Sequence, residues 1–184
     1  MHKRSIAKPV ASIVKMKKAL LTIFLILCIQ EVKAQDRLHL DRGTFKELGF
    51  IVGYNYNFED SDSRNYHLVE FGLIKSTYNN YHHPVNSSFY FSNELGLNTK
   101  DFVWGPKAGA YVGFWMFAVG AEAIYYTDFQ QGSLRLAPYF GIGFHQFKLT
   151  VNPHIKLNNK DFLPNTGNFN ITIRPFVLKK KKID

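Results

Sequence analysis

The sequence predicts an all-β fold: an eight-stranded antiparallel up-and-down transmembrane β-barrel with a filled, charged lumen. One observation behind this prediction is strict alternation of apolar and polar residues, clearest over residues 133–144 (SLRLAPYFGIGF). Alternation with a period of two is typical of strands whose two faces meet different environments. The pattern occurs eight times along the chain. Each polar face also carries few charges, with equal numbers of each sign.

All eight segments have one apolar and one polar face. In the first, Leu48 and Phe50 alternate with Glu47, Gly49 and Ile51. The aromatic content of 16% suits the pleated surface of a sheet. The predicted strands cover residues 46–58, 66–77, 88–97, 102–114, 117–127, 133–144, 147–157 and 169–177. Turn-forming residues fill the longer breaks between them, at residues 60–63 (DSDS), 79–86, 98–101 and 158–168.

The lengths of the junctions predict an orientation. The fourth junction is only Trp115-Met116 and the sixth is only His145-Gln146. Transmembrane barrels have short periplasmic turns and longer outer loops. With the N-terminus in the periplasm, the even-numbered junctions are the periplasmic ones. The second junction, residues 79–87, is longer and departs from this pattern.

Residues 1–34 have the features of a cleaved export signal. Two lysines precede an apolar run over residues 19–29 (ALLTIFLILCI). Cleavage after Ala34, at a small-x-small site, would leave Gln35 as the mature N-terminus. The run is shorter than the roughly 20 apolar residues of a transmembrane helix, which disfavours an anchor. Residues 1–15 form a possible extension before a second methionine.

The formal net charge of +9 belongs to the two ends of the chain. After the signal, residues 35–43 are predicted to be a polar lead-in, residues 44–178 the barrel and residues 179–184 a basic tail. Residues 35–178 carry 12 basic and 12 acidic side chains. No basic face of the kind that binds nucleic acid is expected, so nucleic acid is excluded as a partner.

Alternation alone also fits a soluble lipocalin-like barrel with an apolar interior that binds an apolar ligand. A soluble barrel needs charge on about 25–35% of its outer surface. The polar faces here carry about one charge per segment among glycines, serines and tyrosines. That density is too low for a hydrated exterior and suits a crowded interior. The membrane barrel is therefore the preferred prediction.

The charges on the polar faces predict an internal network. An eight-stranded barrel is just wide enough for side chains to fill it. Charged groups in such a space must pair, because an unpaired one costs several kcal/mol. Four acidic and four basic residues match in number, and Lys156 is not counted among them. The predicted network consists of one residue per segment: Glu47, Glu70, Glu94, Lys107, Glu122, Arg135, Lys148 and Arg174.

Few residues suggest a metal or catalytic site. His82, His83 and His67 match no zinc spacing, and the acidic turn at residues 59–62 lacks the glycine and terminal glutamate of a calcium loop. Ser133 and His154 lie on a polar face without a linking motif. No cofactor, metal or catalytic residue is expected, and a barrel enzyme acting on lipid is only a third alternative.

The chain resembles small outer-membrane β-barrel proteins, most closely the OmpX-like and OmpA-transmembrane-like barrels in the style of Bacteroidota. The resemblance lies in residues 138–155 (PYFGIGFHQFKLTVNPHI), similar to a penultimate hairpin, and residues 169–177 (FNITIRPFV), similar to a closing strand. Such barrels often end on an aromatic residue. Here Phe176 is followed by two apolar residues and lysines. The resemblance implies insertion into a Gram-negative outer membrane by the barrel-assembly machinery, with outer-membrane lipid as a partner.

The predicted function is that of a non-enzymatic integral outer-membrane barrel with a structural or surface-interaction role. A porin is disfavoured because eight strands leave no aqueous channel. The sequence indicates no specific ligand or protein partner.

Overall fold

A computed structural model of the chain describes residues 42–59, 65–81, 84–163 and 165–183. The predicted signal peptide, with Ala34 and Gln35, lies outside these residues. No helix of the described part is long and apolar enough to cross a membrane. The strands are β1 (Thr44–Glu59), β2 (Tyr66–Asn79), β3 (Val85–Gly96), β4 (Trp104–Phe114), β5 (Phe117–Thr127), β6 (Gly132–Gly143), β7 (Phe147–Pro153), β8 (Ile155–Lys156) and β9 (Asn165–Lys182).

The strands form one closed antiparallel barrel. From β1 to β7 each strand pairs with the next one in chain order, and β9 closes the sheet by pairing with both β1 and β7. The short β8 continues β7 beyond His154 and pairs with β6, so the nine elements make eight barrel strands. The predicted eight-stranded antiparallel fold is confirmed.

The two ends of the barrel have different connections. Residues 80–84, Trp115-Met116 and residues 144–146 join strands at one end, where β1 begins and β9 ends; we call this the turn end. The opposite end, the loop end, has the other connections: residues 60–65, 97–103, 128–131 and 157–164. The second junction is shorter than predicted, because β2 continues to Asn79 and β3 already begins at Val85.

The last strand is longer than predicted. β9 extends from Asn165 to Lys182, whereas the sequence places the end of the barrel at Leu178 and a basic tail after it. The extension forms because β1 offers a partner for it: Lys179 pairs with Leu48, and Lys182 pairs with Phe45. Three register shifts along this ladder let strands of unequal length stay paired.

Alternate residues point into the barrel, as the period-two pattern predicts. The interior is layered. One apolar cluster near the turn end comprises Ile51, Ile74, Tyr90, Tyr111, Ala118 and Tyr139. A second, near the loop end, comprises Leu68, Val103, Ile124, Tyr126, Ala137 and Leu163. Charged and amide side chains fill the layer between them.

Close approach of neighbouring strands depends on inward-facing glycines. A Cβ atom added at Gly141 of β6 would lie 2.1 Å from the carbonyl oxygen of Leu149 on β7. At Gly72 of β2, it would lie 2.3 Å from the carbonyl oxygen of Phe91 on β3. In both cases the obstacle is backbone, which cannot rotate away. These positions therefore hold the strands closer together than any other residue would allow.

Candidate functional site: the filled lumen and its loop end

A single lysine lies among three carboxylates at the centre of the lumen. Nζ of Lys107 is 2.6 Å from Oε1 of Glu94, 3.0 Å from Oε2 of Glu70 and 3.4 Å from Oε2 of Glu122. The four residues come from four consecutive strands, and their side chains are fully buried. We call this set the central cluster. Alone it has two more negative than positive charges.

Neutral donors help to stabilise the excess negative charge. Each carboxylate of the central cluster accepts one hydroxyl and one amide hydrogen bond. The pairs of donors are Ser92 and Asn170 to Glu70, Tyr126 and Asn55 to Glu94, and Tyr90 and Asn152 to Glu122, at 2.5–3.0 Å. All six donors lie on the polar faces predicted from the alternation, but nothing in the sequence indicates which one meets which carboxylate.

Lys148 supplies positive charge to the same region without contacting a carboxylate. Its Nζ lies 4.6 Å from the ring centroid of Tyr90 and 4.5 Å from that of Tyr139. A cation over aromatic faces is attracted by their negative π surface. The side chain is buried. A simple matching of opposite charges would pair Lys148 with one acidic residue. The structure places Lys148 inside the lumen, as predicted, but against tyrosine rings.

A second ion pair lies near the turn end. Nη1 of Arg174 is 2.8 Å from Oε2 of Glu47, and Nη2 donates to Ser76 Oγ at 2.7 Å and to the carbonyl oxygen of His145. Tyr78 donates to the other oxygen of Glu47 at 2.5 Å. Glu47 and Arg174 are the first and last of the predicted network residues in the chain. Their pairing joins β1 to β9 across the closure of the barrel.

Arg135 ties a loop into the opposite end of the lumen. Its Nη2 donates to the carbonyl oxygens of Phe162, at 2.7 Å, and Leu163, and its Nη1 donates to Asn165. The guanidinium also lies 5.0 Å from the ring centroid of Tyr126. Leu163 is buried as part of the apolar cluster below. These contacts hold residues 162–163 of the connection 157–164 over the loop end, and no acid takes part in them.

The described residues line a small cavity near the turn end of the lumen. A cavity of about 10 Å³ lies among Ile51, Tyr111 and Lys148, enough for about one water molecule. At the loop end, an open depression of about 430 Å³ lies between the connections, lined by residues such as Tyr66 and Asp101. Any small ligand would find room in this depression and not in the cavity inside the barrel.

The residues considered for catalysis are held by neighbours in the structure. Ser133 donates to the carbonyl oxygen of Asn158 at 3.1 Å. The ring nitrogens of His154 lie within 3.4 Å of side-chain nitrogen atoms of Arg135, Asn165 and Asn168. The described residues contain no group of three metal-ligating side chains. His67 bonds to Tyr54, whereas His82 and His83 lie outside the described residues.

His145 occupies the turn between β6 and β7. Its ring stacks on Tyr78, with centroids 4.1 Å apart and planes at 11°. Burial, and after it the positive charge of Arg174, lower the pKa of His145 to about 4, against a smaller opposing effect of Glu47. Lys180 is the remaining charged neighbour and also lowers it. The imidazole is therefore neutral in the folded barrel at neutral pH.

His145 is expected to make the barrel less stable in mild acid. The unfolded chain binds a proton at this ring near pH 6.5 and the folded one near pH 4. Stability is therefore lost as pH falls from about 6.5 to about 4, by about 2 kcal/mol once partial exposure is allowed for. His145→Phe keeps the stacking and removes the proton site. The urea midpoint of the variant, relative to that of the wild type, should rise steadily as the pH is lowered from 7 to 4. An unchanged difference would contradict the assignment.

Comparisons with known proteins find no significant match to this chain. No protein-family model matches it, and no curated protein or solved structure is significantly similar. The likeness to OmpX-like barrels therefore stays a prediction from the sequence.

Proposed function

We propose that the protein is a non-enzymatic, integral outer-membrane barrel that serves a structural role and does not conduct solutes. The observation that carries this proposal is the inverted distribution of side chains. The interior holds the charged, hydrogen-bonded side chains, while the outward faces of the strands between the two ends carry mostly apolar side chains. Large apolar side chains that are more than half exposed on the barrel wall include Phe89, Phe91, Val112, Val119, Phe140 and Phe176. An apolar surface this extensive suits lipid and would be unstable in water.

The dimensions of the strands agree with a bilayer. β4 and β5 have 11 residues each, and a tilted transmembrane strand needs about 9–11. Aromatic side chains mark both rims. At the loop end, Phe129 stacks on Phe102 and Trp104 with centroids 5.7 and 5.8 Å apart. At the turn end, Trp115 and Phe117 are exposed. Two aromatic girdles around an apolar band are typical of outer-membrane barrels.

The interior argues against the lipocalin-like alternative. A barrel that carries an apolar ligand needs an apolar cavity, whereas this lumen holds the central cluster and a cavity of only about 10 Å³. Ser133 donates to the backbone carbonyl oxygen of Asn158, whereas His154 faces Arg135 and Asn165. The two residues therefore do not form a nucleophile–base pair, which disfavours an enzyme that acts on lipid.

The filled lumen leads to a prediction about conductance. Purified protein inserted into planar bilayers should show no steady single-channel current, because buried side chains fill the described lumen and the loop held by Arg135 covers it. The Arg135→Met variant releases that loop but leaves the central cluster in place, so it should also remain closed. A stable ohmic conductance from the wild type would contradict the non-conducting role.

Location and orientation can be tested together. The proposal puts the turn end in the periplasm and the loop end at the cell surface, with insertion by the barrel-assembly machinery. An epitope inserted between Asn159 and Lys160 should be labelled by antibody on intact cells. The same epitope inserted between Asn80 and Tyr81 should be labelled only after the outer membrane is opened. The protein should also fractionate with outer membranes and migrate faster on gels before heating than after. Recovery as a monodisperse protein from plain buffer would overturn the membrane assignment.

A role in binding molecules at the cell surface would depend on the loop end. The open depression there is lined by Tyr66, Lys100, Asp101, Asp128 and Asp161, among others. Concave surfaces with several polar groups are typical of small-molecule sites, so a ligand from outside the cell would bind in this depression if the loop end faces the exterior. The epitope experiment decides whether this surface faces the exterior at all.

A further inference from the structure

Four lysines share the outward face of the barrel at the turn end. Here β1 lies between β2 and β9, and the register aligns Leu48 with Lys75 on one side and Lys179 on the other. One step closer to the end, Lys46 is aligned with Lys181. All four lysines are exposed. Lys46 and Lys181 are directly opposed, which places their Cβ atoms about 4.5–5.5 Å apart, and Lys75 and Lys179 are diagonal neighbours of Lys46, at about 7–8 Å. These four lysines form one group, the lysine patch.

No carboxylate of the described residues neutralises the lysine patch. Glu47 is close in sequence but points into the lumen, where Arg174 binds it. Lys46 and Lys181 stand directly opposite each other, and like charges in that arrangement destabilise a sheet. An anion from outside the chain would relieve this repulsion. The described aspartates all lie in connections at the far end of the barrel: Asp101, Asp128 and Asp161.

The lysine patch borders directly on the apolar wall. The next outward-facing row consists of Leu73, Phe50 and Phe176, which the register aligns across the same three strands. Leu48, in the middle of the patch, is itself partly exposed. Lysine side chains can lie along apolar surface with the ammonium in the polar layer. In a bilayer the apolar row would mark the edge of the hydrocarbon, and the ammonium groups would reach the depth of the lipid phosphates.

We propose that the lysine patch binds the phosphate headgroups of anionic phospholipids in the leaflet at the turn end. This inference rests on the proposed membrane function and adds a lipid class and a site to it. Clustered lysines next to a membrane attract anionic lipids. Here the clustering is imposed by strand register, so the four side chains start from fixed neighbouring positions on the sheet before any lipid binds. Lys180 and Lys182 on the same strand face inward over Phe45 and are not part of the site.

The test is lipid binding to the full chain folded in detergent. Native mass spectrometry would follow titrations with phosphatidylglycerol and, separately, phosphatidylcholine. The wild type should retain phosphatidylglycerol preferentially, and added salt should weaken this binding. The variant K46Q/K75Q/K179Q/K181Q should bind it at least about tenfold more weakly, since each lysine contributes several-fold at an anionic surface. The double variant K179Q/K181Q, a smaller change, should fall between them.

The matched control is K100Q/K160Q, which removes two exposed lysines at the loop end and should bind like the wild type. Equal binding of both lipids by a folded wild type, or unchanged binding by the four-lysine variant, would overturn the lipid site alone. A wild type that never gives the fast-migrating folded form in detergent, yet is soluble without it, would overturn the membrane function and the lipid site together. Heat-dependent gel migration checks folding for each variant.

Discussion

Replacing Lys107 by Met is expected to cost the barrel at least about 3–5 kcal/mol, the range for breaking a buried ion pair. The lysine is the cation that contacts all three carboxylates of the central cluster, at 2.6, 3.0 and 3.4 Å. Methionine fills most of the space but leaves Glu70, Glu94 and Glu122 facing one another without water. Lys148 stays in place over its tyrosines and does not contact the carboxylates. Urea unfolding in lipid vesicles, followed by heat-dependent gel migration, would measure the loss.

A second substitution separates charge from packing. The double variant K107M/E94Q removes one negative charge together with the positive one. The new amide oxygen can accept from Asn55, and the new amide nitrogen can donate to the hydroxyl of Tyr126, which then acts as the acceptor. It should recover a large part of the lost stability. Lys160→Met, at an exposed loop lysine, should unfold like the wild type. If K107M is as stable as the wild type, the lysine does not hold the cluster together. If the double variant is no better than the single one, the loss comes from packing.

The second large effect is expected at a glycine. Gly141→Ala should destabilise the barrel by more than about 3 kcal/mol, above the usual range for overpacking. The added methyl group would lie 2.1 Å from the carbonyl oxygen of Leu149 and 2.8 Å from Cα of Thr150. Both are backbone atoms of the paired strand, so β6 and β7 would have to separate. The yield of the folded, fast-migrating form and its urea midpoint would report the effect.

Gly143→Ala is the matched control. It lies two residues further along the same strand and on the same face, but the nearest atom to its added Cβ is the side-chain Cβ of Ala118 at 3.0 Å, and the nearest backbone atom is 3.4 Å away. A shift of a few tenths of an ångström accommodates it, so we expect a loss of about 1 kcal/mol or less. Equal losses at the two positions would show that the cost comes from alanine in a strand and not from the approach of β6 to β7.

Alternation predicted the barrel because the side-chain period of a strand is fixed by backbone geometry. Every position assigned to the polar face of the first segment, from Glu47 to Asn55, faces inward in the structure. The limits of the strands were harder to predict. The lysines after Leu178 show no apolar face, so the sequence places them in a tail, yet β1 has free backbone groups that pair with them. Likewise, nothing in the alternation of residues 147–157 marks the break at His154.

The charged residues of the lumen were predicted individually, but their partners were not. Burial on one face follows from the alternation, whereas the height of each residue in the barrel depends on register between strands far apart in sequence. Glu47 and Arg174, for example, meet only because β9 closes on β1. Arg135 and Lys148 use backbone carbonyls and aromatic rings, acceptors that a count of acids against bases overlooks.

The closure of β9 on β1 also bears on how the chain folds. This ladder is among the longest in the barrel and pairs residues from opposite ends of the described chain, such as Phe45 with Lys182. Contacts between distant residues carry the largest loss of chain entropy and form slowly. The hairpins from β1 to β8 can assemble first, but the cylinder cannot close before the last strand is available. Until then, two unpaired strand edges and the apolar wall are exposed together. The incomplete sheet, with two open edges, is thus more prone to aggregate than the closed barrel, and pairing of β9 removes both edges at once.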